Sequence, residues 1–396
     1  EVREFTRHWK WLVVLAVLPA LWWHPLLIGM LPDFMDTVAH LYPRRLEVSR
    51  QFWEGTIPLW NPHLFSGIPL AANPQLAVWY PPQWLFFLWP SPVTNGLVIV
   101  FHYIVAGWGV FFLARQWRCA PTAAFFGAIV FQFGSMLVSR VALTPHLYTA
   151  AWIPAMLCAI ELCLREDKLR PGRGAGLVGV LFGLQILAGA PQISYYTALL
   201  LPIYWVARAC MTGPGERKSR VGRALVHGAS AALVAALLAG IQLAPTLEFA
   251  GQTERGEIDL QKLSGQGLNG GFLWRALVGF TGPEIEDTDS INAIGAGAIL
   301  LALLALAGKK RRSTAALLWL LGFAAWLLSI GPLSGLWAKV LPGYTLFHAP
   351  RRALILWSVV GSLLAAVGAH HLLLCWRAKK WPRVGYYIAL IVLSAG

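Results

Sequence analysis

Charge is scarce in this sequence, and acidic charge is scarcest. Of 396 residues only 13% are charged, with 18 Asp and Glu against 32 Lys and Arg. A soluble domain carries about 25% charged residues, so this chain has too few polar side chains to cover a water-facing surface. Cysteine is sparse as well. Cys119, Cys158, Cys163, Cys210 and Cys375 form no CxxC pair and have no His at metal-ligand spacing, which leaves them as small hydrophobes. GxGxxG, P-loop, HExxH and GxSxG patterns are missing, so soluble nucleotide chemistry is not indicated.

What is there is apolar: 57% hydrophobic residues, a mean hydropathy of +0.59 and 20 tryptophans. The apolar residues fall in repeated runs of roughly 17–25, the length that crosses about 30 Å of hydrocarbon as a helix. Barrel strands would be shorter and would alternate. The fold class is therefore an all-α polytopic membrane protein. Spans are expected at about 11–30, 95–114, 119–137, 146–164, 174–190, 191–207, 224–243, 293–308, 313–330, 352–375 and 384–396. That makes about 11 transmembrane helices in one domain, 1–396, with the last one cut short. The break between the fifth and sixth spans rests on Pro191 and its flanking glycine. The first run lacks a small-residue cleavage site and reads as a retained span. The chain starts without Met and stops inside an apolar run, as a truncated piece of a longer chain would.

The net charge of +14 suggests nucleic acid until its distribution is considered. With the N-terminal tail in the cytoplasm, the inner segments hold 22 of the 32 basic residues, and the outer ones hold 12 of the 18 acidic ones. This is the positive-inside pattern. No basic stripe with interleaved aromatics occurs, so no nucleic-acid partner is expected. The outer side then carries a first loop at 31–94, a second at 244–292 and a third segment at 331–351. In the first loop, Thr37 to Glu54 reads as an interfacial helix with Arg44, Arg45, Glu47 and Arg50 on its polar side. Gly55 to Pro82 reads as turns, with Trp60, Trp79 and Trp84 at headgroup depth.

Several residues at the outer ends of spans could carry chemistry. Asp33 and Asp36 follow the first span. A carboxylate there can take a proton or hold a divalent cation, although spacing alone favours a helix cap. Arg351 and Arg352, after Pro350, suit a phosphate through forked hydrogen bonds, or equally a lipid headgroup as anchors. His146, Gln192, Tyr195 and Glu248 are placed to line a cavity or simply to pack. The acidic run Glu284, Glu286, Asp287 and Asp289 reads as a solvated loop or a cation site.

Taken together, DTxxxxYP (Asp36 to Pro43), GTIPLWNPHLFSGIPLAANPQ (Gly55 to Gln75), AGAPQ ending at Gln192, LAPTLEFA and LFHAPRR (Leu346 to Arg352) resemble the YfhO family of bacterial membrane proteins, within the GT-C type glycosyltransferases. The resemblance runs in order from Asp33 to about His371. It implies a GT-C-like fold in the bacterial inner membrane, with an inverting transfer at the extracytoplasmic face from a polyprenyl-phosphate-linked sugar to a glycan, lipid or protein acceptor. It implies Asp36, with Asp33 second, as the acidic residue that acts as base on the acceptor hydroxyl or helps position it. Arg351 and Arg352 would be the phosphate ligands, with Asn73 and Gln75 of the long phrase beside the substrate. Where the family has an arginine after the Phe, this chain has His348. No cofactor is required, and a divalent cation remains open. Two other classes fit the same composition: a transporter of lipid-linked glycans, and a structural subunit of a larger membrane complex that keeps the transferase fold.

Overall fold

The computed structural model describes residues 2–32, 34–165, 171–212, 215–252, 260–268 and 294–378. Among them, six helices are long and apolar enough to cross a membrane: Pro92–Gln116, Pro121–Ser139, Thr144–Cys163, Arg217–Ala250, Lys309–Ser329 and Pro350–Arg377. Shorter apolar helices, His8–Trp22, Gly172–Leu187 and Ala296–Ala307, pack with them, as does the helix Pro191–Met211. Every expected span up to residue 375 thus falls on a helix, and 384–396 lies outside the described residues. The first span is displaced. Its helix runs Val2–Trp22 rather than 11–30, because Pro25, which has no N–H to continue the ladder, opens a separate short turn at His24–Leu27. The break before Pro191 is real: Gly189 takes φ +99° and Pro191 starts the next helix from its first turn.

The Leu354–Arg377 helix is the hub. Every residue from Leu354 to Gly368 is buried, as expected of a helix that is hydrophobic all round. Lipid tails supply no hydrophobic drive between helices, so close approach must come from small side chains. A Cβ on Gly127 would lie 2.6 Å from Ala366 Cβ, and one on Gly368 would lie 1.7 Å from the Leu301 carbonyl. The same rule pairs Pro171–Leu187 with Arg217–Ala250, where Gly179 meets Val234 and Gly183 meets Leu238.

The two ends of the bundle differ in kind. One carries the basic run Lys309–Arg312, with Arg311 donating to the Trp117 and Arg118 carbonyls at 2.8 Å. Just inside it Arg208 forks onto Glu161 at 2.5 and 3.0 Å and also donates to Thr314. Tyr204 donates to the same carboxylate at 2.7 Å, so one buried ion pair ties three helices.

The other end carries the first loop. Residues 36–41 form a π-helix that runs directly into the Tyr42–Trp53 helix. Beyond it the chain makes a two-stranded antiparallel hairpin, Trp60–Asn61 with Ile68–Pro69, and a 3-10 turn at Pro74–Leu76. The long helix Arg217–Ala250, about 50 Å at 1.5 Å per residue, extends past the expected 224–243 and reaches this end. There Gln242 donates to the Ala71 carbonyl and Thr246 to that of Ala72, both at 2.9 Å. Of the segment expected as the second outer loop, residues 244–252, which end the long helix, and 260–268, with a helix at Leu260–Gly265, are described. Leu268 bridges to Ile330. The acidic run from Glu284 to Asp289 lies outside the described residues.

Candidate active site at one end of the bundle

Asp36 is the first residue of the π-helix, and its side chain is exposed. Met35, not Asp36, sits at the cap position, and no side-chain cap bond forms. The Asp36 side chain makes no hydrogen bond or ion pair among the described residues. The next residue anchors it: the buried Thr37 hydroxyl donates to the Ala142 carbonyl at 2.5 Å. Single-turn π-helices inside α-helices are frequent at functional sites. Asp33 lies outside the described residues.

The expected helix over this stretch forms, as residues 36–41 and Tyr42–Trp53, but it does not present all its arginines to water. Arg50 forks onto Glu47 at 2.7 and 2.8 Å and reaches Glu54 at 2.6 Å. This fork holds the Glu47 carboxyl below its usual range, and Gln51 adds a hydrogen bond at 2.7 Å. Arg45 points the other way and is 1% exposed. Its guanidinium lies 5.7 Å from the Tyr148 ring centroid and donates to the Gln75 carbonyl at 3.3 Å. Burial pushes its pKa down, and the Tyr148 hydroxyl opposes that shift. Behind Tyr148 the His102 ring stacks at 4.0 Å. His102 in turn bonds Tyr80, whose hydroxyl accepts from Trp152 at 2.7 Å. Sequence reasoning missed Arg45. The signal was its spacing: Leu41, Arg45 and Val48 fall on one stripe of the helix, and all three are buried.

The turn after the hairpin is a clamp for neighbouring segments. Asn73 accepts the Gln75 N–H at 3.1 Å and so caps the Pro74–Leu76 turn, while the Gln75 side chain is exposed. Gly189 of AGAPQ packs on this turn. Its neighbour Ala190 donates to the Thr149 hydroxyl at 3.2 Å, in the helix Thr144–Ala151 that begins just after Ala142. His146 is buried in that same helix.

Gln192 and Tyr195 then reach the segment 331–351. Gln192 donates to the carbonyls of His348 and Ala349 at 2.5 and 3.2 Å, and its oxygen accepts from Arg352 at 3.2 Å. The Tyr195 hydroxyl donates to the Pro342 carbonyl at 3.0 Å, and its ring lies 5.2 Å from that of Phe347. Gln266, which sequence reasoning also missed, accepts the Ala349 N–H at 3.0 Å. Arg351 and Arg352 are half-buried at the foot of the Leu354–Arg377 helix. Glu248 is exposed in the last turn of the long helix and joins none of these contacts.

At this end of the bundle Thr37, beside Asp36, bonds Ala142, Thr149 on the helix that follows bonds Ala190, and Gln192 bonds Arg352, so hydrogen bonds and short chain segments together link the Asp36 turn to Arg352. Among the described residues no group of three or more His, Cys, Asp or Glu could hold a metal ion.

No protein-family model and no curated protein sequence matches the chain. Solved structures do. The oligosaccharyltransferase of Archaeoglobus fulgidus in its apo form aligns with a TM-score of 0.56 at 14% identity, over 97% of this chain and 54% of that one. Archaeal AglB from the same organism, in complex with an inhibitory peptide and a dolichol-phosphate, aligns with a TM-score of 0.57 at 14% identity, over 99% and 54%. The arabinofuranosyltransferase AftD from Mycobacteria aligns with a TM-score of 0.53 at 17% identity, over 91% and 24%. The fold is shared with these oligosaccharyltransferase and arabinofuranosyltransferase structures. The chain spans about half the length of the oligosaccharyltransferase and about a quarter of AftD.

Proposed function

We propose that the chain is an inverting membrane glycosyltransferase of the YfhO type. It takes a sugar from a polyprenyl-phosphate-linked donor and passes it to an acceptor glycan, lipid or protein at the extracytoplasmic face of a bacterial inner membrane. The observation that carries this reading is the series of hydrogen bonds and short chain segments that links the Asp36 turn to Arg352 at the end of the bundle opposite the basic run. The positive-inside pattern makes that basic end cytoplasmic and the site extracytoplasmic.

In this reading Asp36 takes the proton from the acceptor hydroxyl as the hydroxyl attacks the sugar, with Asp33 second in line. The phosphate leaves carrying the electron pair of the broken bond, and Arg351 and Arg352 stabilise the charge it gains. Preorganised donors of this kind are worth about 2.7–4 kcal/mol each. The energy of transfer is already stored in the lipid-phosphate bond, so no nucleotide is needed. A polyprenyl phosphate is of the same chemical class as the dolichol-phosphate named with AglB.

The exposed Asp36 side chain makes no contact whose loss would unfold the protein. Asp36→Asn is therefore expected to fold like the parent and to lose transfer. Sugar release from a radiolabelled polyprenyl-phosphate donor by the two purified proteins measures this. Equal rates would remove Asp36 from the base role. Fixed-stoichiometry copurification with other membrane proteins, with no transfer by the parent, would favour a structural subunit instead.

A further inference from the structure

We infer that Gln192 is a positioning residue: its side-chain amide shapes the His348–Arg352 turn and thereby aims the Arg352 guanidinium at the donor phosphate. The aim at phosphate rests on the proposed function. The shaping of the turn does not.

The amide is saturated by one short segment. Gln192 is only 6% exposed and sits in the first turn of the Pro191–Met211 helix. Its nitrogen has two hydrogens and faces two successive carbonyls, those of His348 and Ala349, and also the Tyr196 hydroxyl at 3.1 Å. Its oxygen takes the Arg352 Nη1–H. No other natural side chain of this length offers both a donor pair and an acceptor in one plane.

The segment it holds would not hold itself. Ala349 has φ +52° and ψ +73°, left-handed backbone that a non-glycine residue rarely adopts and that is strained. Pro350 follows and has no N–H to contribute. The Ala349 carbonyl already accepts from the Arg352 N–H at 3.0 Å, and the Ala349 N–H goes to Gln266. Strain of this kind persists only where the surroundings over-determine it. Gln192 supplies that from one side, and one helical turn later Tyr195 holds Pro342 and Phe347. A buried glutamine that bonds both the strained backbone and the guanidinium beside it couples the shape of the turn to the direction of the charge.

The test uses the purified full chain in nanodiscs, as parent, Gln192→Leu, Gln192→Glu and the control Gln242→Leu. Gln242 is a comparably buried glutamine that pins the Ala71 carbonyl and does not contact the arginines. Hydrogen exchange in a peptide covering 344–353 reads the turn without reference to any substrate. It is expected to speed up about tenfold in Gln192→Leu, the scale of one lost buried hydrogen bond, and to stay at the parental rate in Gln242→Leu. Gln192→Glu keeps an acceptor for Arg352 and loses both donors to the carbonyls, so exchange should also speed up there. Parental exchange in both Gln192 variants would overturn the inference.

Binding of undecaprenyl phosphate against uncharged undecaprenol reads the consequence. The parent is expected to prefer the phosphate, Gln192→Leu to lose about tenfold of that preference, and Gln192→Glu to lose less. Faster exchange with phosphate preference unchanged would overturn the positioning role. A parent that shows no preference, with exchange still altered, would overturn the donor reading and leave the turn assignment standing.

Discussion

Gly189 lies against Pro74 so closely that a Cβ on it would fall 2.2 Å from the Pro74 carbonyl oxygen. Two segments more than a hundred residues apart meet backbone to backbone at this point, and no other residue fits. The φ of +99° adds a second reason for glycine. The contact seats the AGAPQ turn on the end of the first loop and so fixes where Gln192 begins.

Gly189→Ala is accordingly expected to destabilise the protein by roughly 2 kcal/mol or more, combining left-handed strain with overpacking. Thermal unfolding in detergent, compared with Gly335→Ala, where a Cβ meets nothing within 4 Å, measures it. Equal melting temperatures would contradict the contact.

The Glu161–Arg208 pair predicts a sign reversal. Removing one partner leaves a buried charge, and such changes cost about 3–5 kcal/mol. Arg208→Met should be severely destabilised. Adding Glu161→Gln should recover a large part of the loss, because Tyr204 then faces a neutral amide in place of an unpaired carboxylate. A double variant no more stable than Arg208→Met would count against the pair as the cause.

Arg45 and Tyr148 should couple. Desolvated cation–π contacts are worth about 2 kcal/mol, and Arg45 is fully covered. A double-mutant cycle of Arg45→Met and Tyr148→Leu, read by urea or thermal unfolding, is expected to give a coupling of about 1–2 kcal/mol. Arg45→Lys should also lose stability, since an ammonium cannot lie flat on the ring. A coupling near zero would show that the guanidinium merely fills space.

The Glu47–Arg50 fork sets a pH response. Glu47 titrates below its ordinary 4.5 in the folded protein. A depressed carboxylate contributes stability that is present above its unfolded value and is lost as pH falls through the folded one. The hairpin held by Gln51, which bonds both Glu47 and the Trp60 carbonyl, should therefore loosen as pH falls below the ordinary Glu value of 4.5 and stay unchanged above it. Limited proteolysis at residues 55–69 across that range checks this. Glu47→Gln should show the looser pattern already at pH 7 and no further change on acidification.

Much of the fold was legible because its governing force is one-dimensional. Helices that cross hydrocarbon must be long and apolar, and the runs at Pro92–Gln116 or Leu354–Arg377 could be read as such from order alone. Pro191 after Gly189 marked a helix boundary because proline lacks a donor and glycine accepts positive φ, which are local facts. The displaced first helix shows the limit of that reading: hydropathy continued past Trp22, and backbone hydrogen bonding at Pro25 did not.

The candidate site divides along the same line. Sequence alone determined which polar residues stand at the ends of spans, including Asp36, Gln192, Tyr195, Arg351 and Arg352, because polar groups are expensive inside hydrocarbon. Only the tertiary structure decided their company. It bound Gln192 to His348, Ala349 and Arg352 across more than 150 residues, turned Arg45 inward onto Tyr148, and left Glu248 exposed and apart. Hydrogen bonds and ring contacts act over a few ångströms in space and carry no record in chain distance, so which end residues meet is set by how the helices pack.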